Sequence, residues 1–99
     1  MNIKIQSIHF DADQKLIKFI EEKLKKVEKF YDNILKIEVF LKLANEHATD
    51  NKTVDIRIEI PGSEFFASKT GKKFEEAVVL CIDALKIQLT KYKEKIRGK

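Results

Sequence analysis

Ile34-Leu35-Lys36-Ile37-Glu38-Val39-Phe40-Leu41-Lys42-Leu43 is the stretch on which the fold turns. Its period is two. Leu35, Ile37, Val39, Leu41 and Leu43 point one way, and Lys36, Glu38, Phe40 and Lys42 point the other, as in a strand with one face on a core. After the polar loop Asn45-Glu46-His47-Ala48-Thr49-Asp50-Asn51 the same period returns. Val54, Ile56, Ile58 and Ile60 alternate with Thr53, Asp55, Arg57 and Glu59, which predicts a second half-buried strand. Pro61-Gly62-Ser63-Glu64 then makes a tight turn into a brief third partner around Phe65-Phe66-Ala67-Ser68, so these strands form an antiparallel meander.

Upstream, residues 2–8 alternate at Ile3 and Ile5, and the parity slips before Ile8 and Phe10, which predicts a short strand ending in a bulge or a break. Asp11 stands three residues before Gln14, a spacing that resembles a capping box, ahead of the apolar series Leu16, Ile20, Leu24, Val27 and Tyr31. That series predicts a helix of about five turns. Thr70-Gly71 is expected to open a last helix with the stripe Phe74, Val78, Cys81, Leu85, Leu89, Tyr92 and Ile96. The order is β-α-β-β-β-α. A strand, helix and strand that lie adjacent run parallel with a right-handed crossover. Strands apolar on one face alone require both helices on that face. The expected architecture is an α/β two-layer sandwich with a four-stranded mixed sheet.

Ninety-nine residues, 43% hydrophobic and 36% charged, suit one domain spanning 1–99. The lone cysteine, Cys81, forbids an internal disulfide, and Met1-Asn2-Ile3-Lys4 begins no signal-like apolar stretch, so a cytoplasmic protein is expected. The longest apolar run, Ala77 to Ile82, is far short of the roughly 20 residues a membrane-spanning helix needs.

The net charge of +4 is unevenly placed. Residues 13–29 carry six lysines against four acids, and residues 72–99 carry eight basic side chains against four acids. The two helices therefore sum to +6 and everything else to −2, which makes a polyanion the partner to expect. On a helical wheel Lys15, Lys18, Lys23, Lys26 and Lys29 flank one side of the first stripe, with Glu22 among them, while Glu21 and Glu28 flank the other. On the last helix Lys86, Lys93 and Arg97 share a flank with Lys72, and Lys73, Lys91 and Lys95 share the opposite one. Charge on a helix back is ordinarily solvation. Lysines on adjacent helices also suit phosphate contact led by shape, because Lys is a point charge that reads few base edges.

Catalytic chemistry finds little support. His9 and His47 are the only imidazoles and Cys81 the only thiol, which excludes histidine-rich or cysteine-rich metal sites; no cofactor is expected. Glu46, His47 and Asp50 share one loop and could hold a metal, though a polar loop is the simpler reading. Cys81 on the apolar stripe is expected to be a buried, unreactive core residue. Gly62, Gly71 and Gly98 form no phosphate-binding loop. Phe40 and one of Phe65 and Phe66 are expected on the wet sheet face, where cross-strand packing explains them more simply than base stacking. Leu80, Ala84 and Ile87 share a strip off the core stripe; packing against the first helix is the simpler explanation and an exposed contact patch the alternative.

Lys23-Leu24-Lys25-Lys26-Val27-Glu28-Lys29-Phe30, Phe66-Ala67-Ser68 and Asp83-Ala84-Leu85-Lys86-Ile87-Gln88-Leu89-Thr90-Lys91-Tyr92-Lys93 together resemble the ribosome hibernation promoting factors, the family that includes ribosome-associated inhibitor A. The resemblance covers essentially the whole chain and matches the short form, with no linker or dimerisation domain after Lys99. It implies the β-α-β-β-β-α fold and binding in the groove between head and body of the small ribosomal subunit, across the paths of messenger RNA and of A- and P-site transfer RNA. By the same resemblance Lys23, Lys26 and Lys29 on the first helix and Lys86, Lys91, Lys93 and Lys95 on the last would contact ribosomal RNA phosphates. Ala84 and Ile87 stand where that family commonly has basic residues, which implies weaker phosphate contact in the middle of the last helix. Two other classes fit the residues alone: a double-stranded RNA-binding module acting away from the ribosome, and an interaction domain using the Leu80, Ala84 and Ile87 strip.

Overall fold

The alternating and helical periods are realised in the order the sequence predicts. A computed structural model describes residues 2–43 and 49–97, with β1 (Asn2–Ile8), α1 (Gln14–Phe30), β2 (Lys36–Leu43), β3 (Lys52–Ile60), β4 (Ser63–Gly71) and α2 (Phe74–Arg97). The sheet order is β1-β2-β3-β4. β1 pairs parallel with β2, with Ile3 opposite Ile37 and Ile5 opposite Val39, and the other two pairings are antiparallel. The 45–51 loop that includes Glu46 and His47 lies largely outside the described residues.

One core joins both layers. Ile37, Val39 and Leu41 from β2 and Val54, Ile56 and Ile58 from β3 meet Leu16, Ile20, Leu24 and Val27 of α1 and Val78, Cys81, Leu85 and Leu89 of α2. The alternation of β2 extends further than its burial. Leu35 and Leu43 share the inward parity but are exposed, because they lie at the ends of the strand, where cover is incomplete. Likewise Ile96, at the end of the predicted α2 stripe, is exposed.

Three local expectations need correction or sharpening. The cap of α1 is Asp13, whose Oδ1 accepts from the Leu16 backbone N–H at 2.9 Å, rather than Asp11. A carboxylate at this position satisfies one of the free N–H groups of the first turn. Asp13→Ala should therefore lower stability by about 1 kcal/mol, measured by urea unfolding, with Asp11→Ala close to neutral. Thr70-Gly71 does not open α2. Both residues still pair in β4, opposite Thr53 and Lys52, and the Thr53 and Thr70 hydroxyls hydrogen-bond at 2.9 Å. The helix begins at Phe74, and the Glu76 carboxylate accepts from the Lys72 N–H at 3.0 Å to close its first turn. The parity slip after β1 is a strand end: His9 follows Ile8 with φ +66°, the left-handed region, and redirects the chain toward α1.

The hairpin between β3 and β4 is two residues long, since Ile60 faces Ser63 in the register. Pro61 presets the first turn position and Gly62 adopts φ +82° at the second, a conformation that costs glycine least. On the outer face, away from the helices, polar side chains neutralise one another. Lys42 pairs with Asp55 at 2.7 Å, the Ser68 hydroxyl donates to Asp55, and Glu38 lies 3.5 Å from both Lys36 and Arg57. Phe65 turns inward, edge-on to Tyr92 at 5.5 Å between ring centres, so Phe66 is the member of that pair on the outer face, 54% exposed.

Cys81 is fully buried, and its thiol donates to the Val54 carbonyl at 3.2 Å. Burial is the main cause that pushes the thiol up to about 11 from 9.0. Between those values the unfolded chain releases the proton and the folded one keeps it, so this group's contribution to stability falls as pH rises from about 9 to 11, by about 2 kcal/mol in all. Unfolding curves of the wild type and Cys81→Ala should diverge in slope over that window and run parallel below pH 8. A thiol reagent should react with the native protein only through opening of the core.

Candidate nucleic-acid interface

Because α1 and α2 cover the same sheet face side by side, one flank of each lines a shared cleft. Along α1 the flank is Phe19, Lys23, Lys26 and Phe30, which follow one another at the spacings of three and four residues that share a helix side. Across from it α2 presents Val79, Ile82, Asp83 and Lys86. Lys23, Lys26 and Lys86 thus open on one cleft of about 170 Å³, with apolar contact from Val79 and Ile82 at its wall and the single carboxylate of Asp83 beside them.

Aromatic rings hold several of these ammonium groups. Lys23 Nζ lies 5.4 Å from the centre of the Phe19 ring. Lys86 Nζ and Lys93 Nζ converge on Phe30, at 5.9 and 5.4 Å, and Lys93 Nζ is also 5.7 Å from the Tyr31 ring. An aromatic ring attracts a cation weakly without neutralising it. These contacts orient the lysines and leave their charge available.

Every ion pair among the described residues lies on the outer sheet face. Among those residues, no lysine of α1 or α2 is held by a carboxylate, although Glu21, Glu22, Glu28, Asp83 and Glu94 are on the same helices. The two faces of the molecule therefore differ: among the described residues the ion pairs are confined to the outer sheet face, and the helix face carries none.

The seven lysines singled out from the sequence do not form one group. Lys23, Lys26 and Lys86 share the cleft, and Lys93 joins them through Phe30. Lys29 is exposed in the last turn of α1. Lys91 lies about 140° around the helix from Lys86, and the two border a second hollow with Phe30, Ile87, Thr90 and Glu94. Lys95 is exposed and, nine residues after Lys86, sits about 180° around the helix from it, away from α1.

The strip off the core stripe also resolves. Ala84 packs partly against the core, but Leu80 and Ile87 are exposed, Ile87 at 58%, so packing against α1 does not explain them. Val79 and Ile82 supply the apolar contact on the α1 side instead. Sequence reasoning missed Phe30, which is 38% exposed and central to the lysine arrangement. Its signal was present: at one position before Tyr31 it lies about 100° off the buried stripe, on the lysine flank.

The chain resembles known proteins along nearly its full length. The family described as Sigma 54 modulation protein / S30EA ribosomal protein matches residues 3–97. A ribosome hibernation promoting factor of Escherichia coli K12 is 32% identical over 97 residues, which cover 98% of each chain. One from Pseudomonas putida KT2440 is 30% identical over 95 residues, covering 96% of this chain and 89% of that one. Among solved structures, a ribosomal subunit interface protein from Coxiella burnetii superimposes with a TM-score of 0.84 at 28% identity, over 94% of this chain and 98% of that one. Among the described residues, no helix is long and apolar enough to cross a membrane.

Proposed function

This chain belongs to the Sigma 54 modulation protein / S30EA ribosomal protein family, that of the ribosome hibernation promoting factors, and from that premise we propose that it binds the small ribosomal subunit in the decoding groove and blocks messenger RNA and A- and P-site transfer RNA. The observation that carries this reading is the convergence of Lys23, Lys26 and Lys86, from two helices, on one cleft with none of them in an ion pair among the described residues. Lys29 and Lys93 extend the basic surface toward the ends of the helices, and Lys91 and Lys95 supply contacts at its margin. Ribosomal RNA supplies the phosphates. The mechanism is steric: a rigid two-layer body fills a space that the ligands of translation must enter. No bond is made or broken.

Lysine–phosphate contact releases counterions, so affinity depends steeply on salt. Each phosphate neutralised contributes about 0.7 to 0.9 to the slope of log K against log salt concentration. Seven contacts predict a slope of about −5 to −6, and the five lysines nearest the cleft alone predict about −4. Sedimentation with purified small subunits over a salt series measures this directly. A slope near zero would remove phosphate contact as the source of affinity. A rival reading as a module for free double-stranded RNA predicts equal affinity for any duplex and hence displacement of the protein from subunits by an excess of an unrelated hairpin RNA, whereas the ribosomal reading predicts that the hairpin fails to displace it.

A further inference from the structure

The hollow on the outer side of the two helices, about 470 Å³, is unlike the lysine cleft beside it. Its floor is apolar, made by the Phe30 ring and the Ile87 side chain, and both are substantially exposed. Its rim is cationic: Lys86 and Lys91 border it, and the ammonium groups of Lys86 and Lys93 stand 5.9 and 5.4 Å from the centre of the Phe30 ring. Thr90 adds a hydroxyl, and Glu94 is the one acid on the rim.

From this arrangement we infer that Phe30 is a stacking platform for one unpaired RNA base, with Lys86 and Lys93 receiving the phosphate of the same nucleotide. A solvent-exposed aromatic ring offers a flat apolar face that every base can use, and the Lys86 and Lys93 ammonium groups that sit over the Phe30 ring in the free protein give up that face to the incoming base and move to its phosphate. A purely apolar protein surface would be served by the floor alone and gains nothing from cations gathered on the ring. The same geometry explains why an apolar Ile87 stands on a helix otherwise rich in lysine, since it widens the floor on which the base rests. A paired base cannot reach Phe30 in this way, because its faces are already stacked in the helix. The surface is therefore expected to hold a single-stranded nucleotide next to structured RNA. This inference rests on the proposed RNA-binding role and specifies which nucleotides meet the protein.

The chain contains no tryptophan, so Phe30→Trp introduces a lone fluorophore at the point in question. Titration of that variant with a single-stranded RNA decamer should quench its emission at low salt, whereas a blunt RNA duplex of the same length should quench little. Equal quenching by both, or by neither, would overturn the stacking assignment. In the second arm, Phe30→Ala, Phe30→Leu and Phe30→Tyr are compared for affinity toward the decamer and toward small subunits, with circular dichroism reporting the fold. Loss of a stacked base should weaken binding of Ala and Leu roughly ten-fold with an unchanged salt slope, and Tyr should restore it. Leu binding as well as wild type would overturn stacking in favour of a merely apolar contact, such as a protein surface. If wild-type protein failed to bind subunits, the ribosomal reading would fall, and the decamer titration would still decide stacking by itself.

Discussion

Replacing Lys26 and Lys86 together with glutamate will lower affinity for small ribosomal subunits about 100-fold or more at 0.1 M salt, while the protein stays folded. The magnitude follows from counterion release. A contact that contributes about 0.9 to the salt slope is worth close to ten-fold at that concentration, and two are removed. Reversal adds repulsion between carboxylate and phosphate. The two lysines face each other across one cleft from different helices, so their joint replacement strikes the same phosphate track from both sides. Neither forms an ion pair among the described residues, and for this reason little stability should be lost. The matching control is Lys36 and Lys42 on the outer sheet face. Their replacement disturbs the Glu38 and Asp55 pairs and should leave subunit binding near wild type. Unchanged binding of the cleft variant, with circular dichroism also unchanged, would contradict the lysine assignment.

Leu24→Ala should have the largest effect on the fold. Leu24 is completely buried in the middle of α1, between Lys23 and Lys26, and belongs to the core that joins the two layers. Removing its branched end costs the transfer energy of the lost atoms and leaves a cavity, together about 2–5 kcal/mol. For a domain of this size each kcal/mol moves the melting temperature by about 5 °C, so a fall of about 10–25 °C is expected by calorimetry. Ile87→Ala on the exposed side of α2 should shift it by no more than a few degrees. The contrast tests whether the helices cover the sheet with the faces described. A small shift for Leu24→Ala would mean that α1 is not seated on the core as its stripe requires.

Most of the fold could be read directly because each element writes its buried face in its own period. Ile37, Val39 and Leu41 alternate, Leu16, Ile20, Leu24 and Val27 recur at helical spacing, and both patterns are local. Where partners decide the outcome, the local pattern falls short. Thr70 and Gly71 have the chemistry of a helix start, yet cross-strand pairing with Thr53 and Lys52 keeps them in β4. Leu35 and Leu43 carry the right parity for burial, but parity does not say where the covering helices end.

The candidate site was legible to a similar depth. Wheel positions separate Lys86 and Lys93 from Lys91 and Lys95, since that depends on one helix alone. They do not show which flank of α2 meets α1. That is set by the placement of the two helices on the sheet, and it is what brings Lys86 to Lys23 and Lys26. Phe30 was hidden for the same reason: its role depends on Lys86 and Lys93, which reach it from the other end of the chain.

The central claim is that this protein and the ligands of translation cannot occupy the small subunit together. Competition sedimentation tests it most directly. Labelled protein is bound to purified small subunits at low salt and then challenged with messenger RNA and transfer RNA, added separately and together. The account predicts near one-to-one binding that both ligands reduce, most strongly when added together, and that the reverse challenge prevents their binding in turn. Simultaneous occupancy, with the protein still bound at saturating messenger RNA and transfer RNA, would contradict it.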